Sequence, residues 1–240
     1  MKLRLIILLT IVSLSVFSQP VSGYLGKKLF SSIEMEIVPG FQEYEANQSG
    51  FLSFWSDSYS YTPRFFINTD YQFKPNLAVS GGLGWSHLQV PFYLYNFNYS
   101  ETLIRPMNTV HVQLRLKKGT NGNMPTSSSY IAYGIGLYFL SMPSVPLAVS
   151  SGDDIIFQGV TDANATNFAV NVEFGRRVVF SHGIVLDFGI VTNLSTGLLK
   201  FGSYDDYSNE LSEEYVKNQM LARSAINSLF NFKIGIGLFY

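Results

Sequence analysis

The side chains able to do chemistry in this chain are few and oddly placed. There is no cysteine, there are three histidines, and 17 acidic residues face 16 basic ones for a formal charge of −1. Eight of the charges sit inside apolar runs, at alternate positions. Glu34 and Glu36 flank Met35, Arg64 precedes Phe65, and Asp70 precedes Tyr71. Arg115 lies between Leu114 and Leu116, Glu173 between Val172 and Phe174, Asp187 between Leu186 and Phe188, and Lys233 between Phe232 and Ile234. Charge at every second position marks strands with one face in an apolar medium and the other in a separate polar compartment. Ions kept from water must pair, because an uncompensated buried charge is strongly destabilising. The expected network is Glu34, Glu36, Arg64, Asp70, Arg115, Glu173, Asp187 and Lys233. Glu34 or Glu36 should approach Lys233, and Arg115 should counter both Glu173 and Asp187. Such a network reads first as core filling and second as a gated ion path.

Catalysis would need a nucleophile and base held together. Ser86-His87 is adjacent in sequence, but His111 reads as interior and His182 as part of a short turn, so the three histidines do not converge. No catalytic residue, cofactor or metal is expected. Asp153-Asp154 and Asp205-Asp206 lack the regular ligand spacing of a dedicated cation site and read as solvated loop acids. A pI near 6.3 and acidic loops argue against nucleic acid as a partner.

The elements that carry these charges repeat. Outward sets such as Ile33/Met35/Ile37, Phe65/Ile67/Thr69/Tyr71/Phe73, Leu77/Val79/Leu83/Trp85 and Val110/Val112/Leu114/Leu116 alternate with polar or small residues. So do Ile131/Tyr133/Ile135/Leu137/Phe139, Phe168/Val170/Val172/Phe174, Ile184/Leu186/Phe188/Ile190 and Phe230/Phe232/Ile234/Ile236/Leu238/Tyr240. That makes eight strands of about nine to twelve residues, enough to cross a bilayer when tilted. Connections at 39–60, 87–107, 141–166 and 193–228 are long, and those at 74–76, 118–128 and 178–183 are shorter. The fold class expected is all-β: an eight-stranded antiparallel up-and-down transmembrane β-barrel with long extracellular loops and shorter periplasmic turns. A soluble sandwich is the competing fold. It is disfavoured because the polar faces mix charge with Gly, Ala and Ser.

Lys2 and Arg4, an apolar run from Leu5 to Val16, and Val16-Phe17-Ser18 form a signal peptide over residues 1–18. The barrel domain then occupies 19–240. Five acids fall on inward positions; Glu43, Glu45, Asp57, Glu101, Asp153, Asp154, Asp162, Asp205, Asp206, Glu210, Glu213 and Glu214 fall in the long loops. None remains for the lipid face, where an ion costs a few kcal/mol at mid-depth. Basic residues Lys27, Lys28, Lys74, Lys117, Lys118, Arg176 and Arg177 gather at the short-turn end.

The loops offer two further features. Trp55, Phe92, Tyr93, Tyr95, Phe97 and Tyr99 form an aromatic set, read as an interfacial girdle with a protruding hairpin and, second, as a contact surface for an extracellular protein or glycan. Ser208 as a cap, the Glu213/Lys217 pair and the Leu211/Tyr215/Val216 face predict a short helix lying on the barrel mouth.

With its terminal Phe239-Tyr240 after an alternating apolar face, the chain resembles Gram-negative outer-membrane β-barrels, and Gly23-Tyr-Leu-Gly-Lys-Lys28 is similar to the first mature segment of small barrels of that class. Strand number and length resemble the OmpA-type and OmpW-type barrels. The resemblance implies that Phe232, Ile234, Ile236, Leu238 and Tyr240 are read by the barrel-assembly machinery. It also implies an outer-membrane location among lipid and lipopolysaccharide. The functional expectation is a non-enzymatic barrel serving envelope integrity or surface interaction. The alternatives are a conduit or pocket for small hydrophobic molecules, outlined by Tyr138 and the small inner residues of the third and fifth strands, and, less favoured, a lipid-modifying enzyme.

Overall fold

A computed structural model describes residues 27–41, 59–96, 99–120, 125, 128–151, 154–180, 183–203 and 210–240. The signal segment, Trp55 and Phe97 lie outside these residues. Eight strands form the barrel: β1 (Leu29–Phe41), β2 (Tyr59–Lys74), β3 (Leu77–Asn96), β4 (Tyr99–Gly119), β5 (Ser129–Ser151), β6 (Asp154–Val179), β7 (Ile184–Ser195) and β9 (Asn231–Phe239). Every neighbour pair is antiparallel, and β1 pairs with β9, so the ring closes first strand to last. Closure leaves no unpaired sheet edge, which is the condition for strands in lipid. A two-residue strand β8 (Glu210–Leu211) adds to the far end of β5, and helix α1 (Glu213–Ile226) follows it.

Alternation decides the two faces. On β9 the exposed side chains are Phe232, Ile234, Ile236 and Leu238, while Asn231, Lys233, Gly235 and Gly237 turn inward. The same phase runs through the other strands, giving an exterior of aliphatic and aromatic side chains such as Ile67, Leu83, Leu114, Tyr133 and Phe174. On β5 this belt runs from Ile131 to Phe139. At ~3.4 Å per residue and a ~40° tilt it is roughly 21 Å tall, near the ~25 Å expected of a barrel in a bilayer.

Several strands exceed the expected nine to twelve residues; β5 has 23 and β6 has 26. Stretches 87–107 and 141–166, expected as loops, are largely strand, with β3–β4 paired to Asn96/Tyr99 and β5–β6 to Ser151/Asp154. Their polarity is inverted. Beyond Ser86 the inward residues are Leu88, Val90 and Phe92, and the outward ones are His87 and Gln89. β4 switches at Met107/Asn108, β5 at Leu140/Ser141 and β6 at Ala163/Asn164, all neighbours in register. The exterior there mixes polar side chains such as His87, Gln89, Asn108 and Asn164 with exposed Ile104 and Val160, and the interior meets a helix rather than charge. Period two alone reports only that two environments differ, so the phase flip looked like the end of a strand.

Small inward residues make room for large ones. A Cβ on Gly175 would lie 2.3 Å from the Tyr130 ring, on Gly84 2.4 Å from Phe66, and on Gly235 2.7 Å from Glu34. These glycines are the spaces that the lumen side chains occupy.

Candidate functional site: the lumen and its plug

The lumen is filled in layers. At the short-turn end Phe30, Val185 and Phe239 form an apolar floor, with the Phe30 and Phe239 rings 5.2 Å apart. The Arg177 guanidinium lies 4.0 Å above the Phe30 ring, a cation–π contact that joins floor to charge layer.

The charge layer is one alternating chain. Lys117 contacts Asp70 at 3.0 Å; Asp70 contacts Arg177 at 2.6 Å; Arg177 contacts Asp187 at 2.8 Å; Asp187 contacts Lys233 at 3.1 Å. Lys233 continues to Glu173, Glu173 to Arg115, and Arg115 to Glu36 at 3.3 Å, while Glu34 lies 3.5 Å from Lys233. The Tyr130 hydroxyl accepts from Lys233 at 2.7 Å and lies 2.5 Å from Glu173 and 2.9 Å from Asp187. All of these side chains are buried. No two like charges are consecutive along the chain, so each ion has counter-charge on its sides in a medium of low polarity.

Seven of the eight expected residues meet in this layer; Arg64 does not. Among the described residues Arg64 makes no ion pair, and its Nη2 donates to the Asn227 carbonyl at 2.8 Å. Asp187, expected beside Arg115, is paired instead by Arg177 and Lys233. The reading missed Lys117, Arg177 and Tyr130. A signal was available: five inward acids against three inward bases left two charges uncompensated, and Arg177 and Lys117 share the inward phase of Glu173 and Arg115. With them, among the described residues, the barrel strands hold five buried acids and five buried bases.

A polar collar lies above the charges. Ser86 Oγ is 2.8 Å from His111 Nε2, both fully buried, and the His111 ring packs edge-on to Tyr138 at 4.6 Å. Ser86 thus pairs with His111 rather than with His87, whose Nδ1 faces Asn108 Oδ1 on the exterior at 2.9 Å. His182 lies outside the described residues. Tyr138, expected to outline a pocket, is buried with its hydroxyl donating to Asn193 at 2.9 Å. The Ser86–His111 pair is closed over by protein and serves as a structural hydrogen bond. Among the described residues no group of three His, Asp or Glu side chains is placed to hold a metal.

The collar also anchors α1. Ser212, not Ser208, caps its N-terminus, accepting from Tyr215 N at 3.3 Å, and Glu213 pairs with Lys217 on the exposed side. Ser208 lies outside the described residues. The opposite end enters the barrel. Arg64 and Asn193 Nδ2 donate to the carbonyls of Asn227 and Ser228, at 2.8 and 3.0 Å. A cation at the C-terminal carbonyls also matches the helix dipole. Asn167 Nδ2 lies 3.4 Å from Ser224 Oγ, and Asn167 Oδ1 accepts from Thr196 and Gly197 of the 3-10 segment Thr196–Ser203. Val216, Met220 and Leu211 complete an apolar core with Leu88, Val90, Phe92, Met107, Leu140 and Met142. The helix therefore plugs the mouth instead of lying across it. Phe92, expected on an exposed contact surface, is buried in this core against Tyr215, with rings 6.4 Å apart. Tyr93, Tyr95 and Tyr99 lie on the tip strands of the same hairpin.

A closed ring of eight lipid-facing strands around a filled lumen defines a transmembrane β-barrel. No family model and no curated protein matches the chain. Among solved structures it is similar to the N-terminal β-barrel domain of Pseudomonas aeruginosa OprF (7% identity, 89% of this chain and 98% of that one, TM-score 0.36). It is also similar to Ail of Yersinia pestis, solved with the heparin analogue sucrose octasulfate (10%, 89% and 96%, 0.33), and to Acinetobacter baumannii CarO2 (13%, 89% and 99%, 0.32). At such scores the strand pairing itself, rather than these likenesses, carries the description of the fold.

Proposed function

We propose that this is a non-enzymatic outer-membrane protein whose lumen is a structural core and whose work is done at its exposed surface. In this reading residues 1–18 direct export, and the assembly machinery reads Phe232, Ile234, Ile236, Leu238 and Tyr240, four of which line the exposed face of β9 with Tyr240 just beyond it. The short turns face the periplasm, and the long hairpins with α1 face outward. The acidic and aromatic loops, including Trp55, Tyr93, Tyr95, Phe97 and Tyr99, then support envelope integrity or bind an extracellular protein or glycan.

The observation that carries this reading is the closed stack of floor, ion chain, collar and plug, in which the central side chains are buried. Eight-stranded barrels have interiors just wide enough to be filled by side chains. Reconstitution in planar bilayers tests it: the expected result is no stepwise conductance from the intact protein, and regular openings would overturn it. Recovery in the outer-membrane fraction, with heat-modifiable gel mobility, tests the location. One observation favours a second reading as a pocket for small hydrophobic molecules: the apolar wall of Leu88, Val90, Phe92 and Met107 would line a cup if α1 withdrew. A disulfide tying α1 to that wall would abolish such binding and leave the surface function intact.

A further inference from the structure

Above the closed ring the strands run on as hairpins, and each hairpin leaves unpaired edges. Such an edge presents a row of N–H and C=O groups that another strand can join. Five strands are guarded by proline, which has no N–H to give an added strand. β1 leaves β9 after Ile37 and carries Pro39; β2 meets β3 only from Arg64 onward and carries Pro63 before it. β3 carries Pro91 beyond Ser86, where it leaves β2, and β4 carries Pro106 before Asn108, where it meets β5. β5 carries Pro143 and Pro146 beyond Ser141 and also pairs with β8 at Ala148 and Val149. β7 runs past Val191 without proline, but there the N–H and Nδ2 of Asn193 both donate to the Ser228 carbonyl.

β6 differs from all of these. It meets β7 only from Ala169/Ser195 onward, and over 154–167 it contains no proline, lysine or arginine. Its other side is paired to β5 through this stretch. The 3-10 segment Thr196–Ser203 covers the lower end, at Asn167 and Phe168. A register shift leaves Gln158 as an extra residue at the upper end. Between them, residues 160–166 have no strand on the β7 side among the described residues. Outward there stand Val160, 69% exposed, and Asp162, Asn164 and Thr166. Inward stand Thr161, Ala163 and Ala165, small side chains that leave width for larger ones beside them. Ala163 and Ala165 border the apolar core around the plug.

We propose that residues 160–166 of β6 form a strand-addition site for an extended segment of an extracellular protein. Main-chain hydrogen bonds supply the affinity, and alternate side chains supply the selectivity. The inward side chains of the added strand lie beside Ala163 and Ala165 and are apolar. Its outward ones include a lysine or arginine opposite Asp162, since opposite charges across a strand pair are favourable. The proposal rests on the surface-interaction reading above and gives it a place and a class of partner.

The probe is a fluorescein-labelled heptapeptide alternating valine and lysine, titrated into the detergent-solubilised full chain. Anisotropy should show saturable one-to-one binding, and amide exchange should slow over 160–166. Two N-methylated versions, one at the valines and one at the lysines, keep every side chain but each lose the N–H groups of one edge. At least one of them should fail to bind. Asn164→Lys/Thr166→Lys should bind the unmethylated peptide about tenfold more weakly, whereas Gln89→Lys on β3 should leave binding unchanged. Heat-modifiable mobility checks that each variant still forms the barrel. If the double variant does not fold, the methylated peptides decide the matter on the intact protein. Equal binding of all three peptides, unchanged binding by the folded double variant, protection elsewhere than 160–166, or a dimer of this chain occupying the edge would overturn the site. Stepwise conductance of the intact protein in planar bilayers would instead remove the reading beneath it.

Discussion

The lower lumen is held by ions and the upper lumen by methyl groups, although β4 and β6 contribute to both. Below the collar, Lys233 touches Glu34, Glu173 and Asp187, which come from three different strands. Above it, Met107, Leu140, Met142 and Met220 pack without directional bonds. Electrostatic pairing demands register: a side chain on the wrong strand leaves an ion uncompensated. Apolar packing tolerates exchange as long as volume is kept. The lower half therefore specifies which strands are neighbours, and the upper half accommodates an inserted helix that arrives last in the chain before β9.

The largest effect should come from the centre of the ion chain. Lys233→Met leaves three acids short of a cation and should cost about 3–5 kcal/mol, read as a lowered urea midpoint in lipid vesicles. The matching change above, Met220→Leu, should cost under about 1.5 kcal/mol. Equal losses would erase the contrast between the halves.

Next in size is the space reserved for ions. A Cβ on Gly134 would sit 2.3 Å from the Leu114 carbonyl oxygen and 2.7 Å from Arg115 Cγ. Gly134→Ala should therefore cost about 1–3 kcal/mol in the same assay, although it adds one methyl group.

The collar joins the halves, and Asn167→Leu breaks it chiefly on the plug side, losing one bond within the barrel wall, to Ser195 Oγ at 3.1 Å. It removes the contacts to Thr196, Gly197 and Ser224. A loss of about 1–3 kcal/mol should appear as faster amide exchange across Glu213–Ile226, with the β4–β5 ladder unchanged. Exchange rising equally in both would mean that plug and barrel open together.

Smallest is the cap: Ser212→Ala should cost about 1 kcal/mol, seen as fraying of the first turn of α1 with the C-terminal turn still protected by Arg64 and Asn193.

The strands were legible because lipid imposes a strict alternation, as in Phe232/Ile234/Ile236/Leu238 against Lys233/Gly235/Gly237. Arg177 was hidden by Arg176: the doublet reads as a basic turn, yet its two members point to opposite sides of the wall. Leu88, Val90 and Phe92 were hidden by the phase inversion, since alternation does not say which face meets lipid. For α1 the position was legible from Glu213/Lys217 and the apolar face, but its depth was not.

By itself the sequence determined the alternation, the strand number and all of the inward charges but Lys117 and Arg177, because these depend on each residue's parity within its own strand. The tertiary structure decided which ions meet, that Arg64 leaves them to hold a helix end, and that the helix enters the barrel. Those outcomes depend on the relative register of strands far apart in the chain and on the shape of the space they enclose, which no local period encodes.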